Sequence, residues 1–146
     1  MGHATFKIGD LEAVIGDNSA DGEHRAGYNG IWSLRHKSSK RNLFVPAYAG
    51  FNLEHYFNGE TEFLNNEVLF QPRKFPMTFS KKSDRQAELK QKPIPHFFVE
   101  SVTTFTLREP YYLDIEFKCT PVQHAHPREW FGCFWASYIN GPADKS

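Results

Sequence analysis

Only two cysteines, Cys119 and Cys133, occur in the 146 residues, so no disulfide framework staples the chain and a hydrophobic core must stabilise it. Nor do the two form a paired-cysteine motif, which excludes a cysteine-built zinc site. Charge of one sign is missing too. The 17 Lys+Arg and 17 Asp+Glu give a formal net charge of zero, leaving no electrostatic footprint for nucleic acid or an anionic membrane. No apolar run approaches the roughly 18 residues that a membrane-spanning helix needs. Repeats and low-complexity segments are lacking. The opening Met1–Lys7 has neither the basic nor the apolar region of a secretory signal, and the compartment is left open. The Gly-rich stretch Gly22–Gly30 lacks the lysine-serine ending and following helix of a phosphate loop.

Aromatic residues are plentiful: 14 Phe, 6 Tyr and 3 Trp. The length suits a single domain spanning residues 1–146, and most of the chain reads as strand. Thr5–Ile8 and Leu11–Ile15 form a hairpin about Gly9-Asp10, and Tyr28–His36 is a strand followed by the basic turn Lys37–Arg41. Leu43–Val45 is a short strand. A single helical turn is expected through Leu53–Phe57, stopped by Asn58-Gly59. Between Met77 and Gln91 a capping box at Ser83–Gln86 competes with a hairpin. Only Ala87 and Leu89 would be apolar on a helix, so the hairpin is preferred. His96–Arg108 and Tyr111–Thr120 alternate cleanly, with Phe97, Val99, Thr103, Phe105 and Leu107 on one face of the first. Leu113, Ile115, Phe117 and Cys119 line one face of the second. Strands at turn spacings of about ten residues predict an antiparallel β-sandwich.

Pairing the strand that ends near Thr120 with the one that starts near Trp130 sets Cys119 opposite Cys133, Phe117 opposite Trp135 and Leu113 opposite Ile139, all on the apolar face. The last strand then carries Trp130, Phe134 and Tyr138 on its second face, opposite Lys118, Glu116 and Asp114. A strand apolar on both faces is normally covered on both. The cover is missing chain, a partner or a ligand. A sugar fits, because aromatic rings stack on pyranose faces and carboxylates accept from hydroxyls.

Other chemistry is weaker. His124, His126 and Glu129 suggest a divalent metal and are similar to the first motif of the cupins. However, two residues separate the second histidine from the glutamate where three or four are required, and no second histidine motif follows. No metal and no cofactor are therefore assigned. Asp114 and Glu116 stand about 7 Å apart along one strand face, a spacing compatible with paired acid and base but usual for a wet face. Cys119 and Cys133 would be adjacent, as free thiols or bonded. His24-Arg25, Tyr28-Asn29, Glu54-His55 and Arg73 fall in loops that together would line one end of a sandwich.

The run Asn29–Phe44, with Gly30, Ser33 and Leu34 on an early strand, the basic turn and the apolar pair Leu43-Phe44, resembles galactose mutarotase-like domains. So do the hairpin through Met77–Gln91 and the long strands His96–Arg108 and Tyr111–Thr120. The resemblance implies a large antiparallel supersandwich with a sugar on a concave sheet face. Aldose-epimerase members use a histidine acid and a glutamate base, the latter near the end of a domain about twice this long. No residue here inherits those roles. The Asn140-Gly141-Pro142 turn after an apolar strand points the same way, to the leading part of a longer domain.

The sequence therefore predicts an all-β, supersandwich-like and incomplete β-sandwich with at most one short helical turn. It would bind or process carbohydrate, in the second case as an epimerase or related enzyme with unassigned catalytic residues. The candidate ligand contacts are Trp130, Phe134, Tyr138, Asp114, Glu116, Arg25 and His55. The alternatives are a structural or protein-interaction sandwich, self-associating through its last strand or burying its aromatic face against a partner or further chain, and a cupin-like metal enzyme.

Overall fold

A computed structural model of the chain describes residues 2–39, 41–60, 66–124 and 126–141. In chain order the elements are β1 (His3–Ile8), β2 (Leu11–Gly16), β3 (Gly30–His36), β4 (Asn52–Phe57), α1 (Asn66–Leu69), α2 (Gln71–Lys74), β5 (Met77–Lys81), β6 (Gln86–Gln91), β7 (Val99–Arg108), β8 (Tyr112–Pro121) and β9 (Gly132–Ala136). All the ladders are antiparallel. One layer is the meander β5-β6-β7-β8; the other comprises β1-β2-β3 and a two-stranded ribbon, β4-β9. Single bridges at Ile31↔Gly50 and Phe44↔Ile139 stitch that ribbon to β3 and the turn after it. The fold is an all-β sandwich, as its alternation predicts.

Two apolar clusters hold the layers together. Phe6, Ile15, Ile31 and Phe44 meet Leu89, Phe105 and Leu107 in the first. In the second, Leu53 and Tyr56 of the ribbon meet Val99, with Phe117, Cys119, Cys133 and Trp135 packed around them. Phe105 and Leu107 are wholly buried, whereas Thr104 and Thr106, which alternate with them, are only partly covered. Each fully buried large side chain contributes roughly 1.5–3 kcal/mol. Gly30 is obligatory at the junction of β3 with the ribbon: its φ is +95°, and a Cβ there would lie 2.4 Å from the Phe51 carbonyl oxygen.

Three sequence expectations are corrected. Leu53–Phe57 is not a helical turn; it belongs to β4, and the two short helices lie at α1 and α2. The cause is a β-bulge. The ladder runs Leu53↔Trp135 and then His55↔Phe134, leaving Glu54 as the extra residue. Leu53 and Tyr56 therefore both face the core, at a spacing that imitates a helix.

The proposed ladder between β8 and β9 does not form, since β8 pairs with β7 and β9 with β4. Yet part of the matched apolar set does meet. Phe117 and Trp135 make an edge contact at 5.0 Å, and both cysteines, free thiols, pack on the same cluster. They face each other across the sandwich interior instead of lying side by side in one sheet. Burial, the largest cause, pushes the Cys133 thiol up to about 12 and the Cys119 thiol in the same direction. Consequently Asp114 and Glu116 are not opposite Tyr138 and Ala136.

Candidate functional site

The bulge is the point from which the site is built. Turned out of the alternation, Glu54 carries its carboxylate into a buried position, with only 7% of the residue exposed. Oε2 accepts from the Tyr138 hydroxyl at 2.8 Å and from Asn52 Nδ2 at 3.0 Å. Oε1 faces an imidazole and a guanidinium at longer range: His55 Nε2 at 3.4 Å and Arg73 Nη1 at 3.7 Å. These two contacts are looser than those the neutral donors make with Oε2.

The surrounding chain fixes this carboxylate. Asn29, 2% exposed, donates through Nδ2 to Asn52 Oδ1 at 2.8 Å and to the Leu53 carbonyl at 3.0 Å. In return the Leu53 N–H donates to Asn29 Oδ1 at 3.1 Å. A buried relay, Asn29–Asn52–Glu54–Tyr138, thus runs from the loop before β3 through β4 to the chain after β9. Arg73 is held as firmly. Its Nε donates to the Gly27 carbonyl at 3.0 Å, and its guanidinium lies 4.1 Å from the centre of the Tyr28 ring and 5.2 Å from that of Phe70. Asn18 and Gln91 both donate to carbonyls around α2, to Arg73 and Phe75 and to Pro72 and Phe75 respectively, which anchors the short helix.

Aromatic rings frame the carboxylate. Tyr138 stacks on Tyr48 at 4.9 Å, and Tyr28 meets both edge-on at 4.7 and 5.3 Å. Arg25 Nη1 donates to the Tyr48 hydroxyl at 3.1 Å. On the other flank His55 stacks on Phe134 at 5.1 Å and meets Phe70 edge-on at 4.3 Å. Arg73 and Phe70 also line an open cleft of about 620 Å³ with Gly27, Asn18 and Lys74, a cleft that Glu54, Tyr48 and Tyr138 do not line. Burial, followed by the Glu54 carboxylate, raises the Tyr138 phenol above its usual range, so it stays a donor. Burial lowers the His55 imidazole more than Glu54 lifts it, favouring the neutral ring.

Of the residues singled out from sequence, Arg25, His55, Phe134 and Tyr138 converge here, as do Tyr28 and Arg73 from the loops. Asp114 and Glu116 do not. They are exposed on the side of β8 turned away from β9, where Asp114 pairs with Arg108 at 2.6 Å. Trp130, 49% exposed, stands at the far end of the ribbon beside Gly59 and Gly132. It lines a separate cleft with His124, His126 and Glu129. Among the described residues no group of His, Cys, Asp or Glu is arranged to hold a metal ion, and no helix is long and apolar enough to cross a membrane. Sequence reasoning missed Tyr48, Phe70 and the central part of Glu54. The Glu54-His55 pair inside an apolar strand was the available signal.

No family model matches the chain, and no curated protein and no solved structure matches it either.

Proposed function

We propose that this is a carbohydrate-binding or carbohydrate-processing domain of the galactose mutarotase-like kind, holding a small sugar at the Glu54 cluster. The ring of the sugar lies on the Tyr48 and Tyr138 side chains, and Glu54 Oε1 accepts from a sugar hydroxyl. If the domain processes its sugar, the reaction would be epimerase-like. In that case Glu54 is the group placed to take a proton, and Tyr138 and His55 are its neighbours in proton exchange. One observation carries the reading: a nearly buried carboxylate with one oxygen held by two neutral donors and the other met only by the longer contacts of His55 and Arg73. That second oxygen keeps capacity to accept from a further donor, and polar groups converging among aromatic rings are the usual make-up of a sugar site.

The test is a screen of monosaccharides by ligand-observed NMR at millimolar concentration. The wild-type chain should bind at least one, and Glu54→Gln should weaken it at least about ten-fold, with Tyr138→Phe losing several-fold. Absence of any sugar binding at that concentration would sink the proposal. The exposure of Trp130 and Phe134, 49% and 46%, favours a second reading as a protein-interaction or self-association surface. Loss of assembly in Tyr138→Ala, with no effect on any sugar, would decide for it.

A further inference from the structure

Two arginines border the site, and their situations differ. Arg73 is committed: its Nε serves the Gly27 carbonyl, its face covers Tyr28, and Nη1 stands 3.7 Å from Glu54. Arg25 makes no ion pair with any described carboxylate, and its side chain donates one hydrogen bond to a described residue, the one to Tyr48. A guanidinium has five N–H donors in a planar fork, so most of the Arg25 fork is unused. Its backbone is nevertheless anchored. The Arg25 N–H donates to the Ala47 carbonyl at 3.1 Å, and His24 Nε2 sits 2.7 Å from the Tyr28 carbonyl, closing the loop around it. The guanidinium carbon lies 5.6 Å from the centre of the Tyr48 ring. From there Tyr48 stacks on Tyr138, which donates to Glu54. The site thus has an accepting end at Glu54 and an unpaired, preorganised cationic end at Arg25, joined by stacked rings.

We infer that the sugar taken by this site is anionic, its carboxylate or phosphate held by the Arg25 guanidinium while its hydroxyls meet Glu54. The inference rests on the sugar-binding reading above and adds the chemical class. A planar fork suits two-point contact with either anion, and Arg25, exposed to solvent, is the arginine of the cluster with no carboxylate partner among the described residues.

The experiment titrates the 146-residue chain with three sets of probes. These are glucuronate and galacturonate, glucose 6-phosphate and galactose 6-phosphate, and the neutral parents glucose and galactose. Acetate and inorganic phosphate serve as ion controls. At least one acidic sugar should bind about ten-fold or more tightly than its neutral parent, and tighter than either free ion. That advantage should shrink in high salt. In Arg25→Gln the ratio of acidic to neutral affinity should fall to near one, with the melting temperature unchanged. Arg25→Lys keeps the charge but not the fork, so it should retain more of the advantage for a phosphate than for a uronate. Neutral sugars binding as tightly as acidic ones would overturn the inference and leave the sugar site standing, as would a preference that survives Arg25→Gln. Binding of no sugar at all would overturn both.

Discussion

Replacing Asn29 with alanine removes the side chain that ties the loop before β3 to the bulged strand. Three hydrogen bonds go with it: two donated by Nδ2, to Asn52 and to the Leu53 carbonyl, and one accepted from the Leu53 N–H. Each is worth about 1 kcal/mol net. The Leu53 N–H, in a residue 1% exposed, is left without that acceptor, and for this third bond the cost is instead that of an orphaned buried donor, about 1–3 kcal/mol. We expect a loss of about 3–5 kcal/mol, a large share of the total for a domain of this size. Urea unfolding and calorimetry measure it directly; at roughly 2–4 °C per kcal/mol the melting temperature should fall by about 6–20 °C. Asn29→Asp is the sharper control, because it preserves shape and the acceptor while deleting both donors. It should be at least as damaging, increasingly so above the carboxylate range, where its charge faces the Asn52 and Leu53 oxygens. A loss under about 1 kcal/mol in Asn29→Ala, or a stable Asn29→Asp, would refute the claim that this relay fixes β4.

Two further expectations follow from the same geometry. Burial is the leading cause that lowers the His24, His55 and His126 imidazoles below their ordinary 6.5, so the folded chain binds fewer protons than the unfolded one. Their contribution to stability is complete above about pH 6.5 and is lost as pH falls through the lower folded values. Melting temperatures between pH 7.5 and 5 should decline accordingly, and NMR titration midpoints at or above 6.5 would contradict it. Asp114→Asn and Glu116→Gln, on the wet face of β8, should each change stability by less than about 1 kcal/mol and leave sugar affinity as it was, which equilibrium unfolding and the NMR screen would check.

Much of the fold was legible because alternation was undisturbed. β1 and β2 close on Gly9-Asp10, β5 and β6 pair from Met77↔Gln91 to Lys81↔Ala87, and β7 and β8 keep one face inward throughout. Legibility failed where one residue breaks the period. In β4 the bulge sends Leu53 and Tyr56 inward together, and a spacing of three reads as helix. It failed again where two geometries make the same apolar list. Phe117 with Trp135, and Cys119 with Cys133, satisfy a ladder on paper as well as they satisfy a contact between layers. Periodicity reports which face a residue is on, but not whether its neighbour lies beside it or above it.

The same ambiguity explains how the candidate site was half seen. The sequence argument asked what covers the second face of the last strand, and expected carboxylates from β8 there. The chain answers with its own residues. His55, with Phe70 edge-on to it, stacks on Phe134, which stays 46% exposed, and Tyr28 and Tyr48 lie against Tyr138. The carboxylate comes from the strand that truly pairs with β9, delivered by the bulge that hid it. Packing alone gives no reason for a glutamate at that bulge, since an uncharged residue would avoid the desolvation of a carboxylate whose nearest donors on one oxygen are neutral. Asn52 and Tyr138 hold Oε2, while Oε1 has the longer contacts of His55 at 3.4 Å and Arg73 at 3.7 Å. A carboxylate fixed this firmly on one oxygen and more loosely met on the other is the feature on which the proposed sugar site rests.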